Sequence, residues 1–275
     1  MNKIVFILVI SITCRIFAGV QDYTFRQIKV EDGLSQSTVL TSLQDNRGFM
    51  WFGTIDGLNR YDGYNFTIYV NDPGDSTSIS DNLIKCLFED NKKQLWIGTA
   101  NGYLNKFDIN TESFKRYNVK NFLETEIELP GSYFDYPLVF SRNNNVSVTS
   151  IVEDSKGNLW LSTWGNGIIR FDPKNETAKH FYHSTEDKNS LGSNRATKIL
   201  IDNDSTIWIG TFGGGLNKMI VGNSSGTEKF TFTSYGNVPG RSDYLGDNRI
   251  ITLLEDKDKD IWLGTYSGGL CRIKK

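Results

Sequence analysis

The sequence has few residues that could build disulfides or metal sites, and it has no surplus of positive charge. Beyond the N-terminal apolar stretch only Cys86 and Cys271 remain, in different predicted strands, so we expect packed free thiols and no disulfide framework. The two histidines, His180 and His183, lie three apart on one predicted strand and point to opposite faces, which argues against a metal pair. A net charge of −2 argues against the clustered basic surface that nucleic-acid binding needs.

Motifs that mark common catalytic sites are also missing. The sequence contains no Gly-x-Ser-x-Gly nucleophile motif, no glycine-rich nucleotide motif and no stretch resembling a kinase core. The segment from Asp256 to Asp260 alternates aspartate and lysine like the start of a calcium loop, but it lacks the glycine and the later bidentate glutamate. We therefore expect no catalytic residue, no metal site and no cofactor.

One apolar run stands at the N-terminus. Residues 1–19 combine the positive charge of Lys3, an apolar run too short to span a bilayer, and small residues at the end, which together predict a secretory signal peptide. An uncleaved anchor, or a lipoprotein modified at Cys14, are the alternatives. Residues 20–275 then form one exported, periplasmic domain, since no later segment is long and apolar enough to cross a membrane.

A four-residue motif, in which Trp precedes an apolar residue, Gly or Ser, and Thr, occurs five times. The copies start at Trp51, Trp96, Trp160, Trp208 and Trp262. They are 45 to 64 residues apart, which is the spacing of propeller blades. Each motif lies in a unit with an apolar run, a polar turn, the motif strand, and then further strands. This pattern predicts an all-β propeller of five repeats, each a four-stranded blade with strands A to D.

The fifth repeat has no candidate for strand D after Ile273. The segment from Tyr23 to Ile28 alternates aromatic and polar residues and could supply that strand, which would close the ring with strands from both termini. The alternative is that the chain is an arc of a larger propeller.

The recurrent residues have structural roles. In strand B the Trp and the Gly of the motif share one face, which suits packing of a blade against its neighbour. An aspartate ends strand A in every repeat and is expected to bond backbone amides of the A–B turn. These aspartates are Asp45, Asp90, Asp154, Asp202 and Asp256.

The repeat unit resembles the two-component regulator propeller repeat, most clearly from Leu95 to Asp108 and from Ile207 to Lys218, and the opening from Glu31 to Val39 resembles that family's first repeat. The resemblance implies the periplasmic sensor region of a hybrid two-component histidine kinase, a class that typically responds to oligosaccharides. Family members usually continue into more repeats, an immunoglobulin-like domain, a membrane helix, a kinase and a DNA-binding domain. None of these is in this sequence, so this chain is expected to sense without catalysis and to reach the membrane only through such regions.

Two other functions remain open from the residues alone. A propeller glycoside hydrolase would place two or three carboxylates at single positions facing the pore, whereas most acids here occur at the repeated turn. A protein-interaction propeller, which self-associates or binds a second propeller, is the other alternative, because fold alone does not give function.

The candidate ligand site is a set of aromatic residues on the face that carries the B–C turns and D–A connections. It consists of Trp164, Phe212, Tyr266, Tyr133 and Tyr136. The first three directly follow the Thr of the motif in three successive repeats, and the last two lie in the long connection between the second and third repeats. With Asn166 and Asn217 nearby, this face is predicted to contact an oligosaccharide or a partner propeller.

Overall fold

The structure, a computed structural model, describes residues 24–125, 127, 146–224, 227–236 and 245–275. Apart from two short 3-10 helices, Val30–Asp32 and Val119–Phe122, its regular elements are β-strands. Among the described residues, no helix has the length and hydropathy required of a membrane span.

In the described residues, nineteen strands form five antiparallel sheets, one for each repeat. The first blade consists of β1 (Val39–Gln44), β2 (Met50–Thr54), β3 (Gly57–Tyr61) and β4 (Phe66–Tyr69). The second consists of β5 (Ile84–Glu89), β6 (Leu95–Thr99), β7 (Tyr103–Asp108) and β8 (Ser113–Asn118). The third consists of β9 (Ser147–Glu153), β10 (Leu159–Trp164), β11 (Ile168–Asp172) and β12 (Thr177–Phe181). The fourth consists of β13 (Ala196–Ile201), β14 (Ile207–Thr211), β15 (Leu216–Ser224) and β16 (Thr227–Tyr235). The fifth consists of β17 (Ile250–Glu255), β18 (Ile261–Thr265) and β19 (Leu270–Ile273).

The blades follow one another around a central channel. The first strands of successive blades pack together, β1 on β5, β5 on β9, β9 on β13 and β13 on β17. Residues of all five of these strands line one cavity of about 280 Å³. The molecule is therefore a five-bladed β-propeller, as the repeat pattern predicts, with the first strand of each blade innermost.

Each blade presents two different faces to its neighbours. One face of each blade carries the Trp of the motif and is called here the outgoing face. The opposite face of the same blade is called the incoming face. The outgoing face of one blade packs on the incoming face of the next. Between the first and second blades, for example, Trp51 and Leu58 share a buried apolar cluster with Ile84 and Ile97. Similar clusters join the second blade to the third, the third to the fourth and the fourth to the fifth.

The glycine of the motif is required by this close approach. A Cβ on Gly98 would lie 2.5 Å from Cys86 Sγ and 2.8 Å from Cγ1 of Val148 in the next blade, both inside van der Waals contact. In the third blade Ser162 replaces the glycine, and its hydroxyl is 2.7 Å from that of Thr149. The next blade accommodates Ser162 because the residue corresponding to Val148 is the smaller Ala196.

The A–B turn aspartate holds both the turn and the tryptophan. In every blade its Oδ1 accepts backbone N–H groups two and four residues ahead, as predicted. Its Oδ2 accepts the indole N–H of the motif Trp at 2.7–3.0 Å. One carboxylate therefore provides the hydrogen bond that a buried indole N–H requires.

The junction between the fifth and the first blade is not packed like the other four. On the incoming face of the first blade Val39 is 41% exposed, whereas its counterparts Ile84 and Val148 are fully buried. On the outgoing face of the fifth blade Leu270 is 65% exposed, and a Cβ on Gly264 would meet only a side chain of its own blade. Two apolar blade faces thus remain uncovered among the described residues.

The N-terminal segment does not complete the fifth blade. Residues 24–29 form no strand, Phe25 is 98% exposed, and the fifth sheet contains three described strands. The predicted fourth strand from Tyr23 to Ile28 is therefore wrong over residues 24–28, and Tyr23 lies outside the described residues. Alternation allows a strand but does not provide an edge to pair with. The two thiols outside residues 1–23, Cys86 and Cys271, are free as expected.

Candidate functional site

The three aromatic residues that follow the motif form a continuous row across three blades. The ring centroids of Trp164 and Phe212 are 5.4 Å apart, and those of Phe212 and Tyr266 are 5.8 Å apart, both with edge-to-face geometry. Trp164 and Phe212 are 5% and 2% exposed, whereas Tyr266 is 47% exposed. The structure thus brings these three residues together and places one of them in contact with solvent. Tyr133 and Tyr136 lie outside the described residues.

Backbone hydrogen bonds fix the turns that carry this row. The N–H groups of Phe212 and Tyr266 each donate to a carbonyl just before strand A of their own blade, at 2.8 Å. The N–H groups of Gly213 and Gly215 donate to the carbonyl of Asn248 in the next blade at 3.0 Å. Gly213 and Gly215 both have positive φ, which suits glycine in this tight turn. The turn that carries Phe212 is therefore held from two blades at once, and the turn that carries Tyr266 is held from its own blade.

A charged group accompanies the exposed tyrosine. The Arg249 guanidinium carbon lies 4.7 Å from the centroid of the Tyr266 ring and 5.9 Å from that of Phe212. Arg249 donates from Nε to Asp247 Oδ1 at 2.9 Å and from Nη2 to Asp247 Oδ2 at 2.6 Å, a bidentate pair. The Ser267 hydroxyl also donates to Asp247 Oδ2, at 2.6 Å. We call Asp247, Arg249, Tyr266 and Ser267 the Tyr266 patch.

The electrostatics of the Tyr266 patch keep its carboxylate ionised. The hydrogen bonds from Arg249, followed by those from Ser267, hold the pKa of Asp247 well below its usual range, against the opposing effect of burial. The patch therefore offers an ion pair beside an aromatic ring at neutral pH. This combination can contact both the apolar face and the hydroxyl edge of a polar ring.

The arginines of this face were not identified from the sequence. Arg195 and Arg249 each stand before strand A of their blades, and each forms an isolated β-bridge with the aromatic residue of the preceding blade, Trp164 and Phe212 respectively. A signal was available, because both arginines follow an asparagine at the same place in the repeat. Comparison of the repeats outside the motif would have found them.

The two asparagines assigned to the predicted site are buried and structural. Asn217 is fully buried, and its Oδ1 accepts the N–H of Gly192 at 2.7 Å and the hydroxyl of Ser234 at 2.7 Å. Asn166 is also fully buried, and its side chain accepts the N–H of Ile127 at 3.1 Å. Both tie connecting segments to a blade and are not on the surface.

The histidines bind backbone groups. The Nε2 of buried His180 is 2.7 Å from the carbonyl oxygen of Asn166, and its Nδ1 accepts the N–H of Glu124 at 3.3 Å, so the neutral ring carries its proton on Nε2. Burial lowers the pKa of His180. Within the described residues, no group of three or more His, Cys, Asp or Glu side chains is arranged to hold a metal ion.

Comparison with known families agrees with this architecture. The model for the two component regulator propeller matches residues 33–56, 78–101, 141–165, 190–213 and 244–267, one segment for each blade. The five repeats are two component regulator propeller repeats. Each matched segment contains strands A and B of its blade and extends into the B–C turn, so the regulator propeller match includes Trp164, Phe212 and Tyr266.

Similar proteins include parts of two-component systems and of a secretion system. The extracellular domain of the hybrid two component system BT4673 from Bacteroides thetaiotaomicron is 26% identical and aligns with 92% of this chain and 32% of that one, with a TM-score of 0.64. The histidine kinase P4 of Formosa agariphila is 52% identical over 59 residues, which are 22% of this chain and 4% of the kinase. PorZ, a surface component of the type-IX secretion system of Porphyromonas gingivalis, shares the fold at 15% identity and a TM-score of 0.57, over 86% of this chain and 32% of its own.

The regulator propeller repeats thus account for a part of much longer proteins. The chain spans about a third of the length of the BT4673 and PorZ structures, and a far smaller share of the P4 kinase. The described residues of this chain form propeller blades and contain no kinase domain.

Proposed function

We propose that this chain is the exported sensor propeller of a hybrid two-component system and that it binds an oligosaccharide without catalysing a reaction. The observation that carries this proposal is the similarity to the extracellular domain of BT4673, which extends over 92% of the chain at 26% identity. The match to the P4 kinase points to the same class of protein. Residues 1–19, with their signal-peptide pattern, support export to the periplasm.

The Tyr266 patch is the proposed ligand contact. Tyr266 is 47% exposed and offers a flat apolar surface, while Arg249, Asp247 and Ser267 offer donors and acceptors beside it. Sugar rings present apolar C–H faces bordered by hydroxyl groups, so both kinds of contact can form together. Phe212 is buried and packs against the Tyr266 ring, and buried Trp164 packs against Phe212 in turn.

Calorimetric titration of the purified chain with a panel of oligosaccharides tests this proposal. For the glycan that binds, Tyr266→Ala and Arg249→Met are expected to weaken binding at least about tenfold, which corresponds to about 1.4 kcal/mol. Tyr64→Ala is the matched control, because Tyr64 is also an exposed tyrosine but lies in a turn at the opposite end of its blade, between β3 and β4. Equal losses in Tyr64→Ala and Tyr266→Ala, with folding intact by circular dichroism, would place the ligand elsewhere.

Two further measurements address catalysis and export. Mass spectrometry of the bound glycan after prolonged incubation should return it unaltered, whereas cleavage abolished by replacing one carboxylate would favour a glycosidase. Expression of the full sequence in a gram-negative host should give a periplasmic product that starts near residue 20. A product retained in the membrane with Lys3 intact would contradict export by cleavage.

A further inference from the structure

Two lysines line the central channel of the propeller. Lys85 comes from β5 in the second blade and Lys198 from β13 in the fourth, and both contribute to the wall of the cavity of about 280 Å³. The other lining residues are apolar or carry hydroxyl or thiol groups. Among the described lining residues there is no carboxylate, so the side chains that line the channel are positively charged overall.

Both lysines line the same cavity as Cys86. The Cys86 thiol is adjacent to Lys85 in sequence, yet its pKa also responds to the positive charge of Lys198 from two blades away. Burial is the larger effect and raises the pKa of Cys86 to about 12, so this residue stays a neutral thiol. The two lysines therefore line the same cavity as an uncharged thiol.

The propeller scaffold does not require lysine at these places. The innermost strands of the third and fourth blades carry Thr149 and Thr197 where β5 has Lys85, and these hydroxyls donate to carbonyls of the next blade at 2.8 and 2.7 Å. Where β13 has Lys198, three other blades have small hydroxyl residues. These are Thr41, Ser150 and Thr252. Lysine at these two positions thus differs from the residues at the equivalent positions of the other blades named here, as is expected of residues that serve a binding site.

Placing cations in a narrow channel removes part of their hydration. Burial lowers the pKa of Lys85 to about 8, which shows that its charged form is disfavoured there. An anion in the cavity would interact favourably with the charged forms of both lysines, and hydroxyl groups in the wall such as that of Ser150 could donate hydrogen bonds to it.

We propose that the central channel binds a small oxyanion, a sulfate, phosphate or carboxylate group, between Lys85 and Lys198. This site is separate from the Tyr266 patch, because the channel lies along the innermost strands and the patch lies on the turns. It does not depend on the proposed oligosaccharide binding, and each can be tested without the other.

Calorimetric titration of the purified chain with sodium sulfate at pH 7 and low ionic strength tests the proposal. Saturable 1:1 binding is expected, weakened at least tenfold by Lys85→Met or Lys198→Met and lost in the double variant. Lys85→Arg keeps the charge and should retain binding. Lys92→Met, which removes an exposed lysine from an A–B turn, is the matched control and should bind as the unaltered chain does. Glucose 6-sulfate, titrated in parallel, shows by tighter or weaker binding whether the channel prefers the group on a sugar or the free ion.

A second readout depends on proton uptake. Among the described residues of the channel wall, the titratable side chains are Lys85, Lys198 and Cys86. Sulfate does not titrate near pH 8, so binding at that pH should draw a fraction of a proton onto Lys85, measured as a dependence of the binding heat on buffer ionisation enthalpy. This dependence should vanish in Lys85→Met. The proposal is overturned if no saturable binding occurs, or if the lysine variants, folded by circular dichroism, bind sulfate as the unaltered chain does.

Discussion

Removing the turn aspartate from an interior blade should cost far more stability than removing it from the last blade. Asp90 accepts the indole N–H of Trp96 at 2.8 Å and the N–H groups of Lys92 and Gln94 at 2.9 Å. Trp96 is fully buried, so the substitution Asp90→Ala leaves the indole N–H of Trp96 without a hydrogen-bond partner or water. This lowers the free energy of unfolding by about 1–3 kcal/mol. Loss of the turn hydrogen bonds adds about 1 kcal/mol, because the exposed turn can bind water instead.

The expected loss in Asp90→Ala is therefore about 3 kcal/mol, which for a chain of this size lowers the melting temperature by about 6–12 °C. Differential scanning calorimetry or circular dichroism melting measures it. Asp256→Ala is the matched control, since Asp256 makes the same three hydrogen bonds but Trp262 is only half-buried. Water can reach that indole N–H, so a clearly smaller decrease is expected. Equal decreases in the two variants would refute the reasoning that indole burial sets the cost.

Three further predictions follow from burial, close approach and protonation. Leu104→Ala should lower the free energy of unfolding by about 2–5 kcal/mol because Leu104 is fully buried. Leu270→Ala should change the melting temperature little, because Leu270 is 65% exposed. Equal effects of the two substitutions would show that the outgoing face of the fifth blade is covered in solution. Gly98→Ala should destabilise by about 1–3 kcal/mol, and Gly264→Ala by less, as measured by denaturant unfolding, because only at Gly98 would the new methyl group meet the next blade. Since burial lowers the pKa of His180, the unfolded chain takes up a proton first on acidification, so stability should fall as the pH drops below about 6.5, and His180→Gln should weaken that dependence in melting curves.

The fold could be predicted because its signal is local and repeated. Five copies of the Trp motif mark strand B of every blade, and the aspartate six residues before each Trp marks the end of strand A. The hydrogen bond from the indole to this aspartate was missed, although the constant spacing of six residues was available. The wrong prediction of a strand from Tyr23 to Ile28 has a different cause. Strand pairing depends on a distant sheet edge, which the alternation of residues does not describe.

The aromatic row was predicted as a set, but the exposure of its members was not. Equivalent positions in neighbouring repeats come together in space, so Trp164, Phe212 and Tyr266 form a row by symmetry. Phe212 of the next blade packs against Trp164, and Tyr266 packs against Phe212 in turn. Tyr266 is exposed because no described blade packs beyond it. Exposure within a repeat array depends on neighbouring blades, which the sequence of a single repeat does not contain.

The unpacked junction between the fifth and first blades has a consequence for folding and for mechanical unfolding. The four apolar clusters each join blades that are adjacent in sequence, so the described strands can assemble without a meeting of distant ends. Folding can then begin with any neighbouring pair of blades and spread outward, with stability adding up blade by blade as in a linear array. In the described residues each terminal blade shares an apolar cluster with one neighbour, so a chain pulled from its two ends would release these blades first. Its force–extension trace would show successive steps of one blade each, where a propeller sealed by a shared sheet would resist until the seal broke.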